Sequence, residues 1–335
     1  MVQLSVLDLA NIGEGFTPAD ALGNALNLAQ HAEAAGYNRF WLAEHHNLSG
    51  IASAATAVCI CHVAGGTNTI RVGAGGVMLP NHSPMVIAEQ FGTLATLFPN
   101  RIDLGLGRAP GTDQNTLRAL RRGPESSERF PQDVVELRAL LGPSKESQFL
   151  HAIPGEDTNV PLWILGSSLF GAQLAAMLGL PYAFASHFAP QALLQAVKIY
   201  RDRFEPSEQL AEPYVMVGCN VIVADTEEEA KRLFTSAQQN TTRMVRGTRG
   251  KLPKPIADIE NFWSPAEKSQ ASSMLACSFY GAPKTIGAKL APLIEATDAD
   301  ELMVAAAIWD HSARVHSFEL LADVMDQNRV TNHAA

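Results

Sequence analysis

Four cysteines occur in the 335-residue chain, and none is spaced as the Cys-x-x-Cys pair of a zinc site or a redox centre. Cys59, Cys61, Cys219 and Cys277 sit in apolar surroundings, which points to reduced, buried thiols and away from a disulfide framework. No apolar stretch reaches the ~20 residues that a helix needs to cross a bilayer, so no membrane partner is expected. Positive charge is also in short supply: 25 Lys and Arg stand against 34 Asp and Glu, a net charge of −9. A nucleic-acid partner requires a basic face to neutralise phosphates, and a chain of this balance does not supply one. Arg118, Arg121 and Arg122 are a local exception, read as a solvated helix face before an anion site. The first eight residues lack the basic region, apolar stretch and cleavage site of a signal peptide, so the expectation is a cytoplasmic protein.

What the chain has is apolar residues, 47% of the total, arranged as alternating strand-like and helix-like segments without an obvious repeat. Gln3 to Ala10 reads as a strand. Thr17-Pro18-Ala19-Asp20 then supplies an N-cap, a proline at the first helical position and an acid in the first turn, ahead of Leu22, Leu26 and Ala29 at helical spacing. Further strands are read at 39–44, 70–77, 101–107, 161–165, 182–185, 214–223 and 301–306, with helices between them. Thr226-Glu227-Glu228-Glu229 fits a capping box, and Val315, Phe318, Leu321, Ala322 and Met325 mark a closing amphipathic helix. Eight apolar, non-alternating strands predict a parallel sheet buried on both faces, and eight is the number that closes a barrel. The expectation is a single (β/α)8 TIM barrel domain over residues 1–335, with insertions after strands 4 and 7.

In such a barrel the chemistry sits where the strands end. The predicted exits offer Glu44-His45-His46, Gly75-Gly76, Gly107-Arg108, Gly166-Ser167-Ser168, Ser186-His187 and Asp310-His311. Gly166-Ser167-Ser168 precedes a helix, which suits a phosphate but also describes an ordinary cap; Arg108 would supply the charge that favours the phosphate. Gly75-Gly76 within a strand leaves room for something flat against the backbone, or marks a β-bulge. A metal is not expected, because His45 and His46 are strand neighbours and point to opposite faces. Gly105-Leu106-Gly107-Arg108-Ala109-Pro110-Gly111 has the wrong spacing for a dinucleotide site, and no Gly-x-Ser-x-Gly elbow of a serine hydrolase is present.

Across nearly its whole length the chain resembles the bacterial luciferase-like flavin monooxygenases, in the single-chain branch related to the luciferase α subunit. The resemblance rests on Trp41-Leu42-Ala43-Glu44-His45-His46-Asn47, on 72–84 with its Gly75-Gly76, on Ala88-Glu89-Gln90, on 101–108 and on Asp300-Glu301-Leu302-Met303. It implies a barrel that binds reduced FMN at the strand exits, delivered by a separate reductase, and uses O2 on a small organic substrate. It further implies that Gly75-Gly76 is a non-prolyl cis peptide beside the flavin, and that Arg108 with Gly166, Ser167 and Ser168 holds the phosphate. His45 matches the first histidine of the luciferase motif and is the implied proton carrier. Gly107 stands where luciferase has a reactive cysteine, and Ser167 where it has an acid, so light emission is not expected. A deazaflavin cofactor and a flavin-binding protein without turnover are the alternatives. The helices after the second and third strands imply a homodimer.

Overall fold

The structure is a computed structural model that describes residues 2–109, 113–144 and 149–332. The elements run β1 (Gln3–Asp8), α1 (Pro18–Ala34), β2 (Arg39–Leu42), α2 (Thr56–Gly65), β3 (Arg71–Met78), α3 (Pro84–Leu97), β4 (Ile102–Gly107), α4 (Gln114–Ala119) and α5 (Phe130–Leu141). They continue with β5 (Leu162–Gly166), α6 (Leu169–Leu178), β6 (Tyr182–Phe184), α7 (Leu193–Asp202), β7 (Val215–Val223), α8 (Glu227–Val245), α9 (Pro265–Met274), β8 (Ser278–Gly281), α10 (Pro283–Thr297), β9 (Glu301–Ala305) and α11 (His311–Asn332). The local signals explain where helices begin. Thr17 and Asp20 form a reciprocal capping box that starts α1, and the Thr226 hydroxyl accepts from the Glu229 N–H to start α8.

Each strand pairs in parallel with its neighbour, β1 lies against both β2 and β9, and β6 against β7, so the sheet closes on itself as a (β/α)8 barrel. The insertions expected after the fourth and seventh strands hold α4 with α5, and α9 with β8. One element differs from the sequence reading. Ser278–Gly281, expected within an irregular insertion, is a ninth strand that continues the ladder of β7 at Asn220–Val223 and takes no place in the barrel wall. Its three half-buried residues carry little apolar pattern, and its partner lies far away in sequence.

Strand parity divides the core. Phe40, Leu42, Val72, Leu104 and Ile164 point outward beneath the helices, while Leu7, Trp41, Ala43, Trp163, Ala183, Met216 and Met303 fill the barrel. Trp41 and Trp163 meet edge to face with centroids 5.1 Å apart. At the N-terminal ends of the strands a buried ionic layer closes the barrel: Arg39 bridges Asp103 (2.9 Å) and Glu301 (2.8 Å), and Arg71 adds a second guanidinium to Asp103. Ser5 and Tyr214 donate to Glu301 as well. Such a layer satisfies charges that water cannot reach. Among the described residues no helix is long and apolar enough to cross a membrane.

Candidate active site

The C-terminal ends of the strands open into one cavity of about 1260 Å³. His45, Gly75, Gly76, Arg108, Gly166, Ser167 and Ser168, proposed from the sequence, all line it. His187 lines it too, whereas Asp310 and His311 do not: Asp310 accepts from the Ala313 N–H and His311 pairs with Asn27 outside the cavity. Arg314, one turn further along α11, reaches the cavity wall and donates to Asp8 at 2.8 Å.

His45 follows Trp41 and Ala43 on the inward parity of the chain leaving β2. Its Nδ1 is buried without a hydrogen-bond partner. Burial, with the positive charge of Arg249 added, pushes the imidazole down to about 4, so it is neutral at pH 7. His187, at the exit of β6, also has a buried Nδ1 without a partner and is held at about 4, by burial first and then by His45. Gly218 on β7 makes space for it, since a Cβ there would lie 2.6 Å from His187 Nδ1.

Glu44 and His46 take the other parity. The Nε2 atoms of His46 and His82 face one Glu44 oxygen at 2.5 and 2.7 Å, and the second oxygen accepts from the Met78 N–H at 3.0 Å. The three side chains offer ligand atoms within 4.8 Å of one another. Their hydrogen bonds already account for the arrangement, which pins the exit of β2 to that of β3. Glu44 therefore orients His46 and His82 rather than His45, a pairing that the sequence left unsettled.

The Gly75–Gly76 peptide is cis, and the ladder between β3 and β4 shifts register between Ala74 and Val77. The bulge is real, and the glycine at 76 is needed by packing: a Cβ would come 2.7 Å from the Gly105 carbonyl oxygen. Across the cavity Ser168 occupies the N-cap of α6 yet makes no side-chain capping bond. The first turn of α6 thus keeps N–H groups for an anion. The Arg108 guanidinium lies over the Phe170 ring at 4.2 Å, and its Nε donates to the Ser127 carbonyl, which holds the cation beside that helix end.

Sequence reasoning named no residue of the wall supplied by β7 and the segment after it. Asn220, Asn240, Thr241, Met244 and Arg249 line the cavity. Asn220 carried a signal, being the polar residue inside the apolar run Val215-Met216-Val217-Gly218-Cys219-Asn220-Val221-Ile222-Val223. Arg249 carried none.

Residues 2–300 match the family described as luciferase-like monooxygenase. The chain is 51% identical to a luciferase-like monooxygenase of Escherichia coli (strain K12), over 97% of this chain and 98% of that protein. It is 32% identical to the N-acetyl-S-alkylcysteine monooxygenase of Bacillus subtilis (strain 168), over 97% and 98% of the two chains. The crystal structure of apo-MsnO8 superposes with a TM-score of 0.91 at 36% identity, covering 97% of this chain and 99% of that one. The closed barrel, the cavity at its strand exits and these whole-length matches agree, and the protein belongs to the luciferase-like monooxygenase family.

Proposed function

We propose that the protein is the oxygenating component of a two-component flavin monooxygenase, taking reduced FMN from a separate reductase and oxygenating a small organic molecule. The observation that supports this most directly is the uncapped N-terminus of α6, with Ser168 at its cap and Arg108 beside it, on the same cavity as His45. Those groups fit a phosphate monoester: N–H donors at the positive end of a helix, two serine hydroxyls and a guanidinium. Gly75 and Gly76, which line the cavity, would lie along the ring system. Reduced FMN, when bound, supplies the electrons and the activation of O2. His45, neutral and with an unused Nδ1, would accept or give a proton there. Leu7, Met216, Met303 and their neighbours would keep water from the reacting centre.

Fluorescence titration with FMN and with a deazaflavin tests this reading. FMN is expected to bind better than the deazaflavin. Arg108→Ala should lose roughly tenfold or more in FMN affinity, the scale of a charge-assisted hydrogen bond. His45→Ala should keep FMN binding and lose product. No measurable FMN binding, or an unaffected Arg108→Ala variant, would refute the reading. The name of the Bacillus subtilis relative makes N-acetyl-S-alkylcysteines the first substrates to try. We also propose that α2 and α3 pack against a second copy, since Val58, Val86 and Leu97 expose apolar side chains there.

A further inference from the structure

The cavity is larger than one ligand needs. Sites for single small molecules run about 300–1,000 Å³, and this one is about 1260 Å³. On the flavin reading a second molecule occupies the remainder, on the side formed by β7, α8 and the segment that follows α8.

Among the described residues, the charges lining the cavity are Glu44, Arg108, Arg249 and Arg314. Three of them are already engaged. Glu44 is taken by His46, His82 and the Met78 N–H. Arg314 is paired with Asp8. Arg108 stands over Phe170 at the proposed phosphate seat. No hydrogen bond or ion pair joins Arg249 to another described residue, although the molecule as a whole carries a net charge of −9. Arg249 is an exposed residue on the cavity wall, so its guanidinium, unpaired within an acidic protein, is accessible to an anion from outside the chain.

Arg249 does not sit on a loose loop. On one side the Thr248 N–H donates to the Arg243 carbonyl at 2.8 Å, and Arg243 itself pairs with Glu14 at 2.9 Å. On the other, the Leu252 N–H donates to the Ile12 carbonyl and the Leu252 carbonyl accepts from the Glu14 N–H. Between them Gly250 lies directly on Gly50, where a Cβ would come within 2.1 Å of the Gly250 carbonyl oxygen. The bare glycine lets the segment settle on the chain leaving β2, five residues beyond His45. That closeness is why the positive charge of Arg249 reaches the His45 imidazole.

We infer that Arg249 is the seat for a substrate carboxylate, and that the second molecule is a small organic acid whose apolar part lies among Met216, Met244 and Leu275. The inference rests on the flavin reading, which assigns the other anion seat to the cofactor phosphate. The carboxylate end is fixed by a bidentate cation, and the apolar end is free to vary in length, so selectivity falls on the acid group.

Calorimetric titration of the protein loaded with oxidised FMN, with N-acetyl-S-butylcysteine and with its methyl ester, tests the inference. The acid is expected to bind roughly ten- to a hundred-fold more tightly than the ester, as loss of one charge-assisted contact requires. Arg249→Gln should remove the preference while leaving FMN affinity unchanged, and Arg249→Lys should restore part of it. Gly50→Ala, which keeps Arg249 but displaces its segment, should also weaken acid binding. Equal binding of acid and ester, absence of acid binding, or a preference that survives in Arg249→Gln would each overturn the inference. A fall in FMN affinity in Arg249→Gln would overturn it too, by giving this guanidinium to the cofactor. Failure of the wild-type protein to bind FMN would be seen before any acid is added, and counts against the flavin reading instead.

Discussion

The neutral state of His45 can be measured and has an energetic consequence. Its imidazole is held at about 4 against an ordinary 6.5. In the unfolded chain the ordinary value returns. Above pH 6.5 neither state holds the proton, and the residue adds no pH dependence. As pH falls below 6.5 the unfolded chain takes up a proton that the folded one refuses, so the folded state loses stability until pH nears 4, where the loss levels off. At about 1.4 kcal/mol per pH unit the full loss is roughly 3 kcal/mol. Other groups titrate in this window, so the quantity to measure is the difference between wild type and His45→Gln in urea unfolding. That difference should shift by roughly 3 kcal/mol in favour of the variant between pH 7 and pH 4. The variant lacks the penalty. His187 is depressed partly through His45, and the comparison is therefore repeated in a His187→Gln background. Proton-carbon NMR of the imidazole ring gives the titration directly. A His45 ring titrating near its ordinary value, or a stability difference that does not change with pH, would refute the reasoning.

Three further outcomes follow from the same structure. Arg249→Gln should raise the His45 titration only part of the way to its ordinary value, because burial outweighs the arginine; NMR shows whether the shift is partial, complete or absent. Asp103→Ala leaves Arg39 and Arg71 without a shared carboxylate at the closed end of the barrel, and should cost about 3–5 kcal/mol or prevent folding. Urea unfolding of Asp103→Ala within 1 kcal/mol of wild type, taking roughly that figure as an ordinary surface effect, would contradict the role given to that layer. Val58→Asp with Leu97→Asp places charge on the exposed face of α2 and α3, and sedimentation should show a dimer become a monomer at micromolar concentration. A wild-type monomer at that concentration would remove the proposed interface.

Much of the barrel was legible because its signals are local. The Thr17 cap, the proline at the start of α3 and the apolar runs of β1 to β7 act within a few residues of where they stand. β8 escaped because its four residues, three of them half-buried, take their strand identity from β7, more than 50 positions earlier. His45 was legible by parity with Trp41 and Ala43. Its distinction from His46 was visible for the same reason, whereas the pairing of His82 with Glu44 joins two different loops and had no local trace.

The sequence by itself determined the periodicity of strands and helices, the inward face of the β2 exit, the glycines of β3 and the helix cap at Ser168. Those depend on covalent geometry, side-chain volume and neighbouring residues, which travel with the chain. The tertiary structure alone decided that these exits share one cavity, that Asp310 and His311 stay outside it, and that Gly50 and Gly250 come together to bring Arg249 toward His45. Contacts between residues about 200 positions apart are set by closure of the barrel, and the free energy that makes one buried imidazole neutral belongs to the space around it rather than to the residue.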